Sequence, residues 1–97
     1  MMELKEFEDL INGLSDDFFS IYSVPTERIN FVKNNTLRLY QSIVEGGRIG
    51  IWFMGQKYDM AALYRAKVCA DLIRMAKVKC QILQDKAAEE EYYIKLF

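Results

Sequence analysis

The strongest nucleophiles in this 97-residue chain are the thiols of Cys69 and Cys80, and the chain has no histidine to activate either one. A cysteine attacks as its thiolate, which forms near neutral pH beside a histidine or another cation. Set among alanines and aliphatic residues, these two thiols read as small core hydrophobes. Their spacing matches no zinc motif. The carboxylates offer Asp16 beside Asp17 and the run Glu89-Glu90-Glu91. Adjacent acids on a helix point in different directions, so these suit a helix start and a solvated stretch better than paired acid–base work. No catalytic residue, metal ligand or cofactor is expected, and the expected class is a non-enzymatic protein.

Binding chemistry is better represented. Gly46-Gly47-Arg48-Ile49-Gly50 lacks the Lys-Ser/Thr of a phosphate loop, but Arg48 beside a glycine turn is a candidate anion nest. Lys67, Arg74 and Lys77 share one face of a helix drawn through them, with Asp71 placed to pair with both Lys67 and Arg74. Arg48, Lys67, Arg74 and Lys77 form the candidate anion-binding set. Charge is unevenly spread. Residues 1–20 hold six acids and one base (net −5), residues 21–79 ten bases and four acids (net +6), and residues 80–97 four acids and two bases (net −2). Acidic ends lying near the basic middle would soften its field. Left facing outward, that middle admits two alternative functions: a nucleic-acid-binding module, or a binder of an anionic small ligand such as a nucleotide at a subunit junction. The pI of 5.4 and the lack of any nucleic-acid-binding signature weigh against the first. Aromatics are the usual anchors of protein interfaces, which makes Trp52, Phe53, Tyr92, Tyr93 and Phe97 the candidate partner-binding residues.

These residues must be positioned by a single domain of 97 residues, half of them hydrophobic (52%). Acids at Glu3, Glu6, Glu8 and Asp9 are wrong for a secretory signal, and the longest apolar run, Ile49 to Met54, is far short of a membrane span. A cytoplasmic protein without membrane contact is expected. Leu4, Phe7, Leu10 and Ile11 recur at helical spacing and predict a helix over Glu3–Asn12, stopped by Gly13. Ser15 predicts a cap for a short helix over Asp16–Tyr22. Pro25 predicts the start of a third, whose buried face is Ile29, Val32, Thr36, Leu39, Tyr40 and Ile43 and whose end is Gly46-Gly47. Residues 46–56 are expected to be a glycine-punctuated connector pushing Trp52 and Phe53 into the core, with a strand that pairs across a dimer as the alternative.

From Asp59 no glycine or proline interrupts the chain, and one helix is predicted to about Glu91. Ala62, Ala66, Cys69, Ile73, Ala76, Cys80, Leu83 and Ala87 follow each other at alternating spacings of four and three, a heptad stripe of mostly small residues. Such a stripe is a packing face for a closely approaching helix. The partner is either the third helix of the same chain or a second copy, antiparallel, with Cys69 opposite Cys80 so that oxidation would cross-link two chains. The expected fold is therefore all-α: one helical domain over residues 1–97, a bundle of three to four helices with one long C-terminal helix, forming homo-oligomers. The expected function is protein–protein interaction, as a helical adaptor, accessory or inhibitor protein of the kind that phages and mobile elements encode. No family signature is recognised.

Overall fold

The computed structural model describes residues 2–46, 52–54, 60–87 and 91–97, with residues 52–54 and 60–62 placed by their backbone alone. Helix α1 (Leu4–Asn12) buries Phe7 and Ile11 completely, and the Gly13 N–H closes it on the Asp9 carbonyl at 3.0 Å. Helix α2 (Asp16–Ser20) follows and buries Phe19. Ser15 stands at its N-cap position, but its side chain makes no capping bond; only its carbonyl is used, by the Phe18 N–H. Pro25 opens a 3-10 turn (Thr26–Arg28) that runs into α3 (Ile29–Val44). Ile29, Val32, Thr36, Leu39 and Tyr40 are buried along α3, and Gly46 ends it at φ +84°, a left-handed backbone that strains any residue with a Cβ.

The chain is mixed α/β, which corrects the all-α expectation. The long helix is neither as long as predicted nor C-terminal: α4 spans Met60–Met75 and is followed by strands β2 (Cys80–Asp85) and β3 (Glu91–Leu96). Two local events stop it. The Lys77 N–H turns back onto the Arg74 carbonyl at 2.8 Å, closing a tighter three-residue turn, and Lys77 itself takes φ +64°. Beyond it, Val78, Cys80 and Ile82 alternate with Lys79 and Gln81, as Tyr92, Ile94 and Leu96 alternate with Tyr93 and Lys95. That is a period of two in β-branched and aromatic residues, which suits a half-buried strand. The connector is corrected too. Trp52–Met54 is a strand, β1, antiparallel to β3 with Trp52 opposite Tyr93. The sheet order is β1-β3-β2, with six residue pairs from Cys80↔Leu96 to Asp85↔Glu91 joining β2 to β3.

The core lies between the helices and one face of this sheet. Phe7 stacks on Tyr40 with ring centroids 4.1 Å apart, joining α1 to α3, and the Tyr40 hydroxyl donates to the Met2 carbonyl. Ala66, Cys69 and Ala70 are fully buried on α4, and such small side chains let α3 approach closely. The Thr36 hydroxyl sits 2.8 Å from the Val32 carbonyl and 3.0 Å from Cys69 Sγ, so the buried polar atom at this crossing is satisfied twice over. On the other side of α4, Ile94 at the middle of the sheet is completely buried, with Ile82, Tyr92 and Leu96 packed around it.

Candidate functional site

The half of the predicted stripe that lies on α4 faces the chain's own core: Ala66, Cys69 and Ile73 are fully buried, and Ala76, just past the helix end, is 1% exposed. Cys80 is buried on β2, whereas Leu83 is only half-buried and its register partner is Tyr93. The stripe therefore breaks at residue 76 and divides between a helix and two faces of a sheet. The Ala62 side chain, Arg48, Gly47 and the expected cap Asp59 lie outside the described residues. A seam of two long helices has no surface in this fold, and the oxidative cross-link predicted from it falls with it.

Neither thiol is poised for attack. Burial pushes Cys69 up to about 12, outweighing the hydrogen bond from Thr36 and the charge of Arg65 that act the other way. Burial also raises Cys80, opposed by Arg74. Cys80 Sγ donates to the Ala70 carbonyl at 3.5 Å, fastening the start of β2 to α4. Among the described residues, no group of three or more Cys, Asp or Glu is placed to hold a metal ion, and no helix is long and apolar enough to cross a membrane.

Two regions do face outward. The first is the corner where α4 turns into β2. Asp71 accepts the Tyr22 hydroxyl on one oxygen and the Arg74 guanidinium on the other, each at 2.8 Å, and Arg74 also donates to the Cys80 carbonyl at 3.0 Å. A chain of charge-assisted bonds thus runs from the end of α2 through α4 to β2 and fixes the guanidinium. Desolvation, with Asp71 beside it, pushes the Tyr22 phenol up to about 12. Arg74, Lys77, Lys79, Gln81 and Phe97 line a cleft of about 450 Å³ at this corner. Lys77 also borders a second cleft of about 300 Å³ with Met2, Glu6 and Ala76, so the acidic first helix lies against one side of the basic turn.

The second region is the face of the sheet turned away from α4. In register it carries Leu83 opposite Tyr93, with Gln81 opposite Lys95 on one side and Asp85 opposite Glu91 on the other. Neither Leu83 nor Tyr93 belongs to the packed core. Of the expected aromatic anchors, Tyr93 is on this outer face and Phe97 is 68% exposed, while Tyr92 packs on the core. Trp52 and Phe53 are placed by register alone, opposite Tyr93 and Tyr92.

Of the expected anion set, the corner brings Arg74 and Lys77 together, and Lys67 is exposed further back on α4. Sequence reasoning missed Lys79 and Gln81, which a strand start at Val78 would have placed beside Lys77. It also missed Tyr22 as the partner of Asp71, a contact across 49 positions that leaves no local signal. No family model, no curated protein and no solved structure matches the chain.

Proposed function

We propose that the chain is a non-enzymatic protein-interaction protein that works as a homodimer joined edge to edge through β2. The observation that carries this reading is the position of β2: strand order puts it at the margin of the sheet, its inner side fully engaged by β3 over six pairs. Strands at an edge are commonly protected by lysine, proline or a bulge. Cys80-Gln81-Ile82-Leu83-Gln84-Asp85 has no lysine or proline, and its register runs unbroken. A two-fold pairing centred on Ile82 sets Gln81 opposite Leu83 of the second copy and Cys80 opposite Gln84, with no like charges facing each other.

A second copy also suits the size of the domain, because a chain this short buries only about 60–65% of its extended surface by itself. Pairing the edges would extend the outer face, with Leu83 and Tyr93, across two chains and make it large enough to engage a partner protein. The absence of histidine and the raised thiols support the non-enzymatic side of the reading. Two free, buried cysteines suit a reducing, cytoplasmic setting.

The test is light scattering coupled to size exclusion at micromolar concentration. The expected mass is that of two chains, falling to one when Gln81→Lys and Leu83→Lys are combined so that the pairing sets lysine against lysine. A wild-type monomer, or a dimer that survives the double substitution, would overturn the edge-to-edge assembly.

A further inference from the structure

We infer that the cleft at the α4–β2 corner binds a nucleoside phosphate, with the phosphoryl group held between Arg74, Lys77 and Lys79 and the base against Phe97. The cleft shares Cys80 and Gln81 with the dimer edge, and its other lining residues lie outside β2.

Four observations converge on that ligand. First, among the described residues the lining side chains carry three cations and no acid. Asp71, the carboxylate paired with Arg74, also accepts from Tyr22. Second, Arg74 is preorganised. Two of its five donors are held by Asp71 and the Cys80 carbonyl, which fixes the guanidinium at the edge of the cleft and leaves three N–H groups unused by these bonds. Third, Lys77 occupies the left-handed position after the helix, where glycine is the comfortable residue. A long cationic side chain kept at such a backbone is the kind of local strain that collects at binding sites. Helix-dipole complementarity accounts for cations in the last turn of α4, but not for Lys79 at the mouth of β2 or for the ring of Phe97.

Fourth, size and shape restrict the ligand. The corner is a shallow, open depression of about 450 Å³, wider than a bare phosphate needs. Phe97 is 68% exposed, and the Lys95 ammonium lies 5.6 Å from the ring centroid. A flat aromatic surface next to a cluster of cations suits a ligand that is anionic at one end and planar at the other.

The experiment is isothermal titration of the intact protein at low salt with ADP, with inorganic phosphate and with a single-stranded oligonucleotide. Saturable ADP binding with a Kd below about 1 mM is expected, with phosphate at least about tenfold weaker. The Lys77→Gln plus Lys79→Gln variant leaves the Arg74 bonds to Asp71 and Cys80 intact and should weaken ADP by about tenfold or more. Phe97→Ala should weaken ADP while leaving phosphate unchanged. Three outcomes would overturn the inference: no saturable ADP binding at that concentration, ADP binding indifferent to the double lysine substitution, or oligonucleotide binding that tightens steadily with length. The last would make the corner part of a nucleic-acid surface.

Discussion

The crossing of α3 on α4 and the hairpin of β2 with β3 each bury a cysteine, and they treat it differently. Cys69 is sealed on all sides, held by Thr36 from the facing helix, with no exposure at all. Cys80 is 8% exposed at the rim of the sheet and borders the basic cleft. The helical crossing is closed: its side chains are buried between α3, α4 and the sheet, and its work is to hold the domain together. The hairpin is half open, with Ile94 in the core and Leu83 and Tyr93 on the opposite face. The hairpin and its corner are the parts left open to solvent, and the helical layer is the platform that positions them.

The comparison breaks most sharply within the hairpin itself. Ile94→Ala removes a fully buried side chain from the central strand and should destabilise the fold by about 3 kcal/mol. Leu83→Ala, on the opposite face of the sheet and only half-buried, should cost less than about 1 kcal/mol. Urea unfolding of the two variants checks this; equal losses would mean that both faces are core.

Two polar contacts sharpen it at a smaller scale. Thr36→Val strips the hydroxyl from the closed crossing, and Tyr22→Phe strips one from the open corner; each should lower stability by about 1 kcal/mol. They should differ in what else changes. Thr36→Val leaves the corner untouched, whereas Tyr22→Phe loosens Asp71 and Arg74 and should broaden the amide signals of residues near 77–81.

Alkaline pH gives a third contrast. The Tyr22 phenol and the Cys69 thiol are both raised to about 12 in the fold, from ordinary values of 10 and 9. A group with a raised folded pKa stabilises fully below its unfolded value and loses that contribution as pH climbs through the folded value. Stability should hold to about pH 9 and then decline towards pH 12, following the thiol first and the phenol above pH 10. Tyr22→Phe should flatten the upper part of that decline, as read from thermal unfolding at a series of pH values. The smallest effect is a gain: Lys77→Gly relieves a left-handed backbone worth about 1–2 kcal/mol, offset by about 0.5–1 kcal/mol of added chain entropy, for a net of about 0.5 kcal/mol.

Much of the helical layer was legible. The period of Phe7 and Ile11, the glycine after Asn12 and the proline before Thr26 are local signals, and the elements obey them. The inner face of the 16-residue α3 was readable as far as Ile43, which still packs against the core, whereas Val44 at the helix end is 43% exposed. The last third misled because Ala76, Cys80 and Leu83 satisfy a four-three spacing while Val78, Cys80 and Ile82 satisfy a spacing of two. A stripe of small residues does not discriminate between the two periods. Tyr92-Tyr93-Ile94, poor in helix preference and rich in strand preference, was the signal that favoured the second. With no glycine at the break, nothing local marked Lys77 as the turn; tertiary pairing of Ile82 with Ile94 imposes it. The candidate corner was legible only in part for the same reason. Arg74 and Lys77 are three positions apart in the sequence, but Lys79 and Phe97 join them only once the chain reverses.

Backbone NMR tests the central claim most directly. Residues 80–85 and 91–96 should show extended chemical shifts with cross-strand contacts between Ile82 and Ile94 and between Gln84 and Tyr92. Helical shifts running unbroken from Met75 through Glu91, with contacts three residues apart in place of the cross-strand ones, would contradict it and remove both the edge and the cleft.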